Sequence, residues 1–127
     1  MVADWWAGHG MPSIPKPIVP ACGVIAETLD GEPLAAVWLY QDNTTPMAFM
    51  HHLVTNPKNK PRVSAAAIPV LLGGVREVCA GLGRSVVQTL VPKRSLKRYL
   101  AEAGFNESGP PETQMLMIVP TEQEAPN

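Results

Sequence analysis

Little in this chain leans to one sign of charge: ten basic and eleven acidic side chains leave a net charge of −1. A global field able to gather nucleic acid or an anionic membrane is thereby excluded, and any anion must be held locally. Cysteine is scarce. Cys22 and Cys79 stand far apart and outside any CxxC or metal-ligand spacing, so no secreted disulfide framework is expected. Both read as small apolar residues in a reducing cytosol. No apolar run approaches the roughly 18 residues of a membrane span. The opening Met1-Val2-Ala3-Asp4-Trp5-Trp6 lacks a basic region and a long apolar core, so no signal peptide is expected. Internal repeats are missing as well.

What is present fits one domain. A chain of 127 residues with 46% apolar and 17% charged content can close a single core without metal or disulfide support. The 14 prolines gather near the two ends and in loops, where they limit regular structure. Residues 1–21 read as a proline-rich arm, 22–120 as the domain and 121–127 as an acidic tail. Within the arm, Trp5 and Trp6 carry apolar surface that needs cover, which predicts a short helical turn docked on the body.

Strands are expected over Val24 to Leu29 and Leu34 to Tyr40, joined at Asp30-Gly31 by a type I′ turn with positive φ at both positions. A third strand runs from Pro46 to Val54, which completes an antiparallel meander. Ile68, Leu71, Leu72, Val75, Val78, Cys79 and Leu82 repeat at three- and four-residue intervals, the mark of one apolar helix face. Ser64 is a plausible N-cap, and Pro69 argues for regular helix only from about Ala67. Gly73-Gly74 weakens the middle and permits close backbone packing, and Gly81 or Gly83 ends the helix. A further strand follows at Val86 to Val91. A second helix then carries Leu96, Tyr99, Leu100 and Ala103 on its apolar stripe, with Gly104 as a left-handed cap and Phe105 packing back. Met115 to Val119 gives the last strand. The fold class is α+β, a three-layer arrangement with a mixed central sheet.

The loop Asn56-Pro57-Lys58-Asn59-Lys60-Pro61-Arg62-Val63-Ser64, between a strand and a helix start, is a natural seat for phosphate. The first amides of a helix lack intrahelical partners and carry partial positive charge. This order of elements, closed by Gly104-Phe105, resembles the GNAT superfamily of acyl-coenzyme A-dependent N-acetyltransferases, and most narrowly the short GNAT-like proteins of bacteriophages. The residues that carry it are Trp5-Trp6 through Pro20, Leu34 to Tyr40, Val54-Thr55-Asn56-Pro57 and Leu96 to Phe105. The resemblance implies that Arg62-Val63-Ser64-Ala65-Ala66-Ala67 wraps the cofactor pyrophosphate, with alanines at Ala65 and Ala67 where the family has glycine. It also implies that the strands Met47 to Val54 and Val86 to Val91 splay, so that the pantetheine arm pairs with Leu53 and Val54. Lys58, Lys60 and Arg62, or Lys93 and Arg94, are then in reach of the 3′-phosphate.

For catalysis the same register puts Lys93 where the family often has Asn, and Leu100 where it has the Tyr that protonates the leaving thiolate. The amine must lose a proton, and His51, His52 and Glu27 are the side chains suited to accept it. In a regular strand His51 and His52 face opposite sides, so only one can address the cleft. His52 and Glu27 are taken as the catalytic candidates, and no metal site is expected from His9, His51 and His52. The implied activity is acetyl transfer from acetyl-CoA to a primary amine, of a small molecule or a protein, with no metal, no membrane and no nucleic acid. Homodimerisation is open, and the setting is cytoplasmic, that of a host cell if the chain is phage-encoded. The alternative is a GNAT-fold binding or structural module without activity, favoured by the missing glycines, the missing Tyr and the short N-terminus.

Overall fold

The computed structural model describes residues 2–10, 19–91, 94–110, 115, 117, 119 and 120. Its elements run α1 (Val2–Gly8), β1 (Gly23–Glu27), β2 (Pro33–Gln41), β3 (Met47–Thr55), α2 (Pro61–Gly81), β4 (Val86–Thr89) and α3 (Arg94–Glu102). The four strands form one sheet in chain order. β1, β2 and β3 are antiparallel, and β4 joins β3 in parallel after the α2 crossover. The architecture is therefore the expected α+β one with a mixed sheet.

α2 lies over β1 and β2. Its buried stripe Ala67, Ile68, Leu71, Leu72, Val75 and Cys79 meets Ala26, Ala35, Val37 and Leu39 in the main core. Ala48 and Met50 of β3 and Leu100 of α3 belong to the same cluster. The opposite face of the sheet carries a smaller cluster, in which Trp5 and Trp6 of α1 cover Ala36 and Val54. Both tryptophans are buried, so the aromatic pair does pack the N-terminal helix onto the body.

Several local expectations need correction. The β1–β2 turn is not type I′, because only Gly31 has positive φ there, at +84°. The Gly31 amide instead donates to Thr28 O at 2.9 Å, closing a turn that needs the left-handed state once. α2 begins six residues before Ala67, since Pro61 occupies its first position, where a missing N–H does no harm. Lys60, not Ser64, is the cap residue, and Ser64 lies inside the helix. Pro69 is tolerated within the helix, on its exposed side. At 21 residues, α2 is also long and apolar enough to cross a membrane by length and composition alone. Here its apolar stripe rests on the sheet.

Both later helix ends match their signals. Gly83 (φ +72°) follows α2, with Arg84 N donating to Cys79 O and Gly83 N to Ala80 O. Gly104 (φ +107°) follows α3, and Phe105 N donates to Leu100 O at 2.9 Å. This is the Schellman arrangement at each end. The strand expected over Met115 to Val119 lies partly outside the described residues, and Met115, Met117 and Val119 are exposed and belong to no strand. The acidic tail, residues 11–18 of the proline arm and Lys93 also lie outside the described residues.

Candidate active site

β3 is the strand that builds the site, because it changes character halfway along. Its first half pairs on both edges: Met47 to Met50 lie between β2 and Val86 to Thr89 of β4. β4 stops there, and the Thr89 hydroxyl donates to Met50 O at 2.9 Å. Beyond Met50 the strand continues to Thr55 with no β4 partner, so a wedge opens between the two parallel strands.

A β-bulge sits at the apex of that wedge. Ala36 pairs with Val54 and Trp38 with His51, so His52 and Leu53 together oppose the single residue Val37. His52 supplies the extra residue with φ +62°, the only positive φ among the described non-glycine residues. A bulge bends the strand and leaves one residue's main-chain groups outside the ladder. It also overturns the expectation that His51 and His52 face opposite sides. The left-handed residue brings both rings to one face, with centroids 3.9 Å apart. After the bulge the alternation resumes in shifted phase, so that Leu53 packs toward the α2 core and Val54 toward α1.

The two imidazoles lie in an aromatic patch on the α1 side. Tyr40 Oη and His52 Nε2 are hydrogen-bonded at 2.8 Å. Phe49 lies 5.3 Å from His51, and the buried Trp6 meets His52 edge-on at 6.3 Å. Burial depresses the His51 pKa below its ordinary value. Burial first, and the nearby His51 second, bring His52 down to about 4. Both rings are thus neutral at pH 7, ready to accept a proton but weakly basic. Burial raises the Tyr40 phenol.

Past the bulge the strand edge faces the wedge. Asn56 N donates to Leu34 O on β2, so by antiparallel alternation the main-chain groups of Thr55, and of Leu53 two residues earlier, point the other way. One of them is in use: His9 Nε2 donates to Thr55 O at 2.8 Å. The loop to α2 is pinned by two side chains that motif reasoning passed over. Asn56 Nδ2 donates to Pro33 O and its Oδ1 accepts from Lys58 N, while Asn59 Nδ2 donates to Leu34 O and to Ser64 Oγ. The helix start is less open than a regular one. Pro61 has no N–H, and Val63 donates to Lys60 O beside the ordinary bond from Ser64, which leaves the Arg62 amide from the first three positions.

The sequence candidates therefore separate into two places. His52, Leu53 and Val54 lie together at the wedge. Glu27 lies on edge strand β1, across β2 from β3, a lateral separation of about 10 Å at ordinary strand spacing. There it shares a groove of about 440 Å³ with Arg62, Val63, Ala66 and Ala67, on the β1–β2 side of α2, and no wedge residue lines that groove. Ala67 is itself a core residue, and Ala65 is half-buried. Leu100 is buried in the core and Tyr99 packs against the same cluster. No group of three or more His, Cys, Asp or Glu suited to a metal occurs among the described residues. That Tyr40, Phe49 and Trp6 surround the histidines is not legible in the sequence, because their proximity arises from strand pairing and helix docking.

No protein-family model and no curated protein matches the chain. Solved structures do. One described as a probable acetyltransferase superposes with a TM-score of 0.64 at 14% identity, covering 94% of this chain and 88% of the other. A protein of Agrobacterium tumefaciens assigned as an acetyltransferase gives 0.58 at 16%, covering 89% and 91%. Glucosamine-6-phosphate N-acetyltransferase from Arabidopsis thaliana gives 0.50 at 11%, covering 74% and 65%. At these identities the likeness is one of fold alone, an α+β, GNAT-like one shared with proteins described as acetyltransferases.

Proposed function

We propose that this GNAT-like fold serves as an acetyl-CoA-dependent N-acetyltransferase acting on a primary amine. The observation that carries the reading is the wedge: β4 leaves β3 after Met50, and the strand edge beyond it, which has no β4 partner, begins beside two neutral imidazoles. An extended pantetheine arm, with its two amides, suits such an edge as an added strand would. In this reading the phosphates of the cofactor end at the loop that follows, beside the exposed Lys58 and Lys60 side chains and the Arg62 amide.

In this reading the thioester lies at the bulge. The amide left out of the ladder by the extra residue polarises its carbonyl, and the amine approaches from the α1 face. The amine nitrogen bonds to the acetyl carbon, the carbon–sulfur bond breaks, and one proton passes in net from nitrogen to sulfur. Most of the acceleration comes from holding amine and thioester together. In this reading His52 is the proton acceptor. Glu27, with its groove on the other side of α2, is the weaker candidate.

A second reading, an inactive GNAT-fold module, is favoured by one feature: Pro61 together with the Lys60 carbonyl leaves few amides free for a diphosphate. Calorimetric melting separates the two. Acetyl-CoA at a hundred times its dissociation constant stabilises a binding protein by about 2.7 kcal/mol, a shift of several degrees in a domain of this size. The transferase reading expects that shift, together with thiol release from acetyl-CoA in the presence of an amine panel. A shift without thiol release supports the module, and no shift at millimolar cofactor rejects both catalysis and cofactor binding. The kinship with bacteriophage proteins rests on the sequence resemblance and gains no support from the structural neighbours.

A further inference from the structure

His52 holds a backbone state that favours glycine or asparagine, yet it carries a large side chain directed to a specific partner. Strain of this kind at the apex of a candidate site is a pointer to function. The groups that face its ring are Tyr40 from β2, His51 from β3 and Trp6 from α1. Tyr40 is hydrogen-bonded to Nε2, so that bond decides which ring nitrogen keeps a lone pair.

We propose that Tyr40 positions His52 as the proton shuttle of acetyl transfer, its hydroxyl oxygen accepting the Nε2–H so that the free lone pair lies on Nδ1. This rests on the transferase reading above. As the amine nitrogen bonds to the acetyl carbon, its proton moves to Nδ1. The carbon–sulfur bond then breaks, and the imidazolium returns the same proton to the departing thiolate, which gives the free thiol and a neutral His52. A weakly basic imidazole suits the second half of this cycle, since its protonated form is a strong acid toward sulfur. The shuttle also answers an absence, because the helix position that would bring a tyrosine acid to the thiolate is Leu100, buried in the core.

Two measurements test it. In protein labelled with ¹⁵N at histidine, His52 should show a protonated Nε2 and a bare Nδ1 at neutral pH, and Tyr40→Phe should mix the two tautomers. A bare Nε2 in the parent protein overturns the assignment, whatever the activity. In steady-state kinetics, His52→Asn, which keeps a residue tolerant of the left-handed backbone, should lower kcat about a hundredfold. Tyr40→Phe should lower it about tenfold, with KM for acetyl-CoA unchanged in both. The double variant should be no slower than His52→Asn alone, because Tyr40 acts only through His52. Losses that multiply, or full turnover in Tyr40→Phe, overturn the inference while leaving the transferase reading intact. A parent protein that neither binds acetyl-CoA nor releases thiol overturns both.

Discussion

A φ of +62° at His52 is a state that costs about 1–2 kcal/mol for most residues bearing a Cβ, and it is reached where two neutral imidazoles meet at a tilt of 41° in partial burial. The folded-state pKa values of His51 and His52 are both depressed from 6.5, His52 to about 4. The unfolded chain therefore binds more protons than the folded one between about pH 4 and 6.5. Stability is complete above the unfolded value and falls as pH drops toward the folded one. Urea melts at stepped pH should show that fall, and His52→Asn should flatten it; an unchanged slope would place the sensitivity elsewhere. Asp42, whose carboxylate is lowered chiefly by the Thr44 amide and then by its hydroxyl, loses its contribution only at more acid pH. A second residue-scale test lies in two adjacent glycines. A Cβ on Gly74 would stand 2.8 Å from Val24 Cγ1, whereas one on Gly73 meets nothing within 4 Å. Gly74→Ala should destabilise by about 1–3 kcal/mol through overpacking against a stiff β-branched side chain. Gly73→Ala should stabilise by about 0.5–1 kcal/mol through helix propensity. Chemical denaturation of both variants checks the opposite signs. The adjacent pair Gly73-Gly74 was visible in the sequence, but which member touches the sheet was not.

The elements were legible to the extent that their causes are local. The stripe from Ile68 to Cys79 and the stops at Gly83 and Gly104 follow from side chains a few positions apart. The start of α2 departs from expectation because Pro69, a helix breaker by local propensity, is carried inside the helix. Pro69 lies in the helix interior on its exposed side, so replacing it with Ala should raise stability by up to about 3 kcal/mol. A higher melting temperature with unchanged cofactor response checks this. α1 poses a different question, since seven residues form no stable helix by themselves. It is held by Trp5 and Trp6, by the His9 bond to Thr55 and by the close seat of Gly8 on Pro57, where an added Cβ would fall 2.6 Å from Cγ. Gly8→Ala should loosen that seat, with a red shift in tryptophan emission and little change in helical circular dichroism. Unchanged emission would show that Pro57 yields instead.

In the whole molecule the two faces of one sheet carry two unequal cores, the larger beneath α2 and α3 and the smaller beneath α1. All three tryptophans lie with the smaller one, Trp38 partly buried at its edge. Emission thus reports the α1 face, while far-ultraviolet dichroism reports mainly α2. Because the strands are common to both cores, the two signals should unfold at the same urea concentration. An earlier emission transition would mark α1 and its cluster as a separate cooperative unit. The sequence by itself determined the class of fold, the order of elements from α1 to α3, the apolar stripes and the helix stops, since periodicity and capping act over a few residues. Tertiary structure alone decided the site. A bulge has no local signature when histidine, not glycine, takes the left-handed position, and its effect depends on which residues of β2 lie opposite. The pairing of Tyr40 with His52, the parting of β4 from β3 at Met50 and the removal of Glu27 to a far edge all follow from strand register. Register is settled by the packing of the sheet between its two layers, which no window of sequence contains.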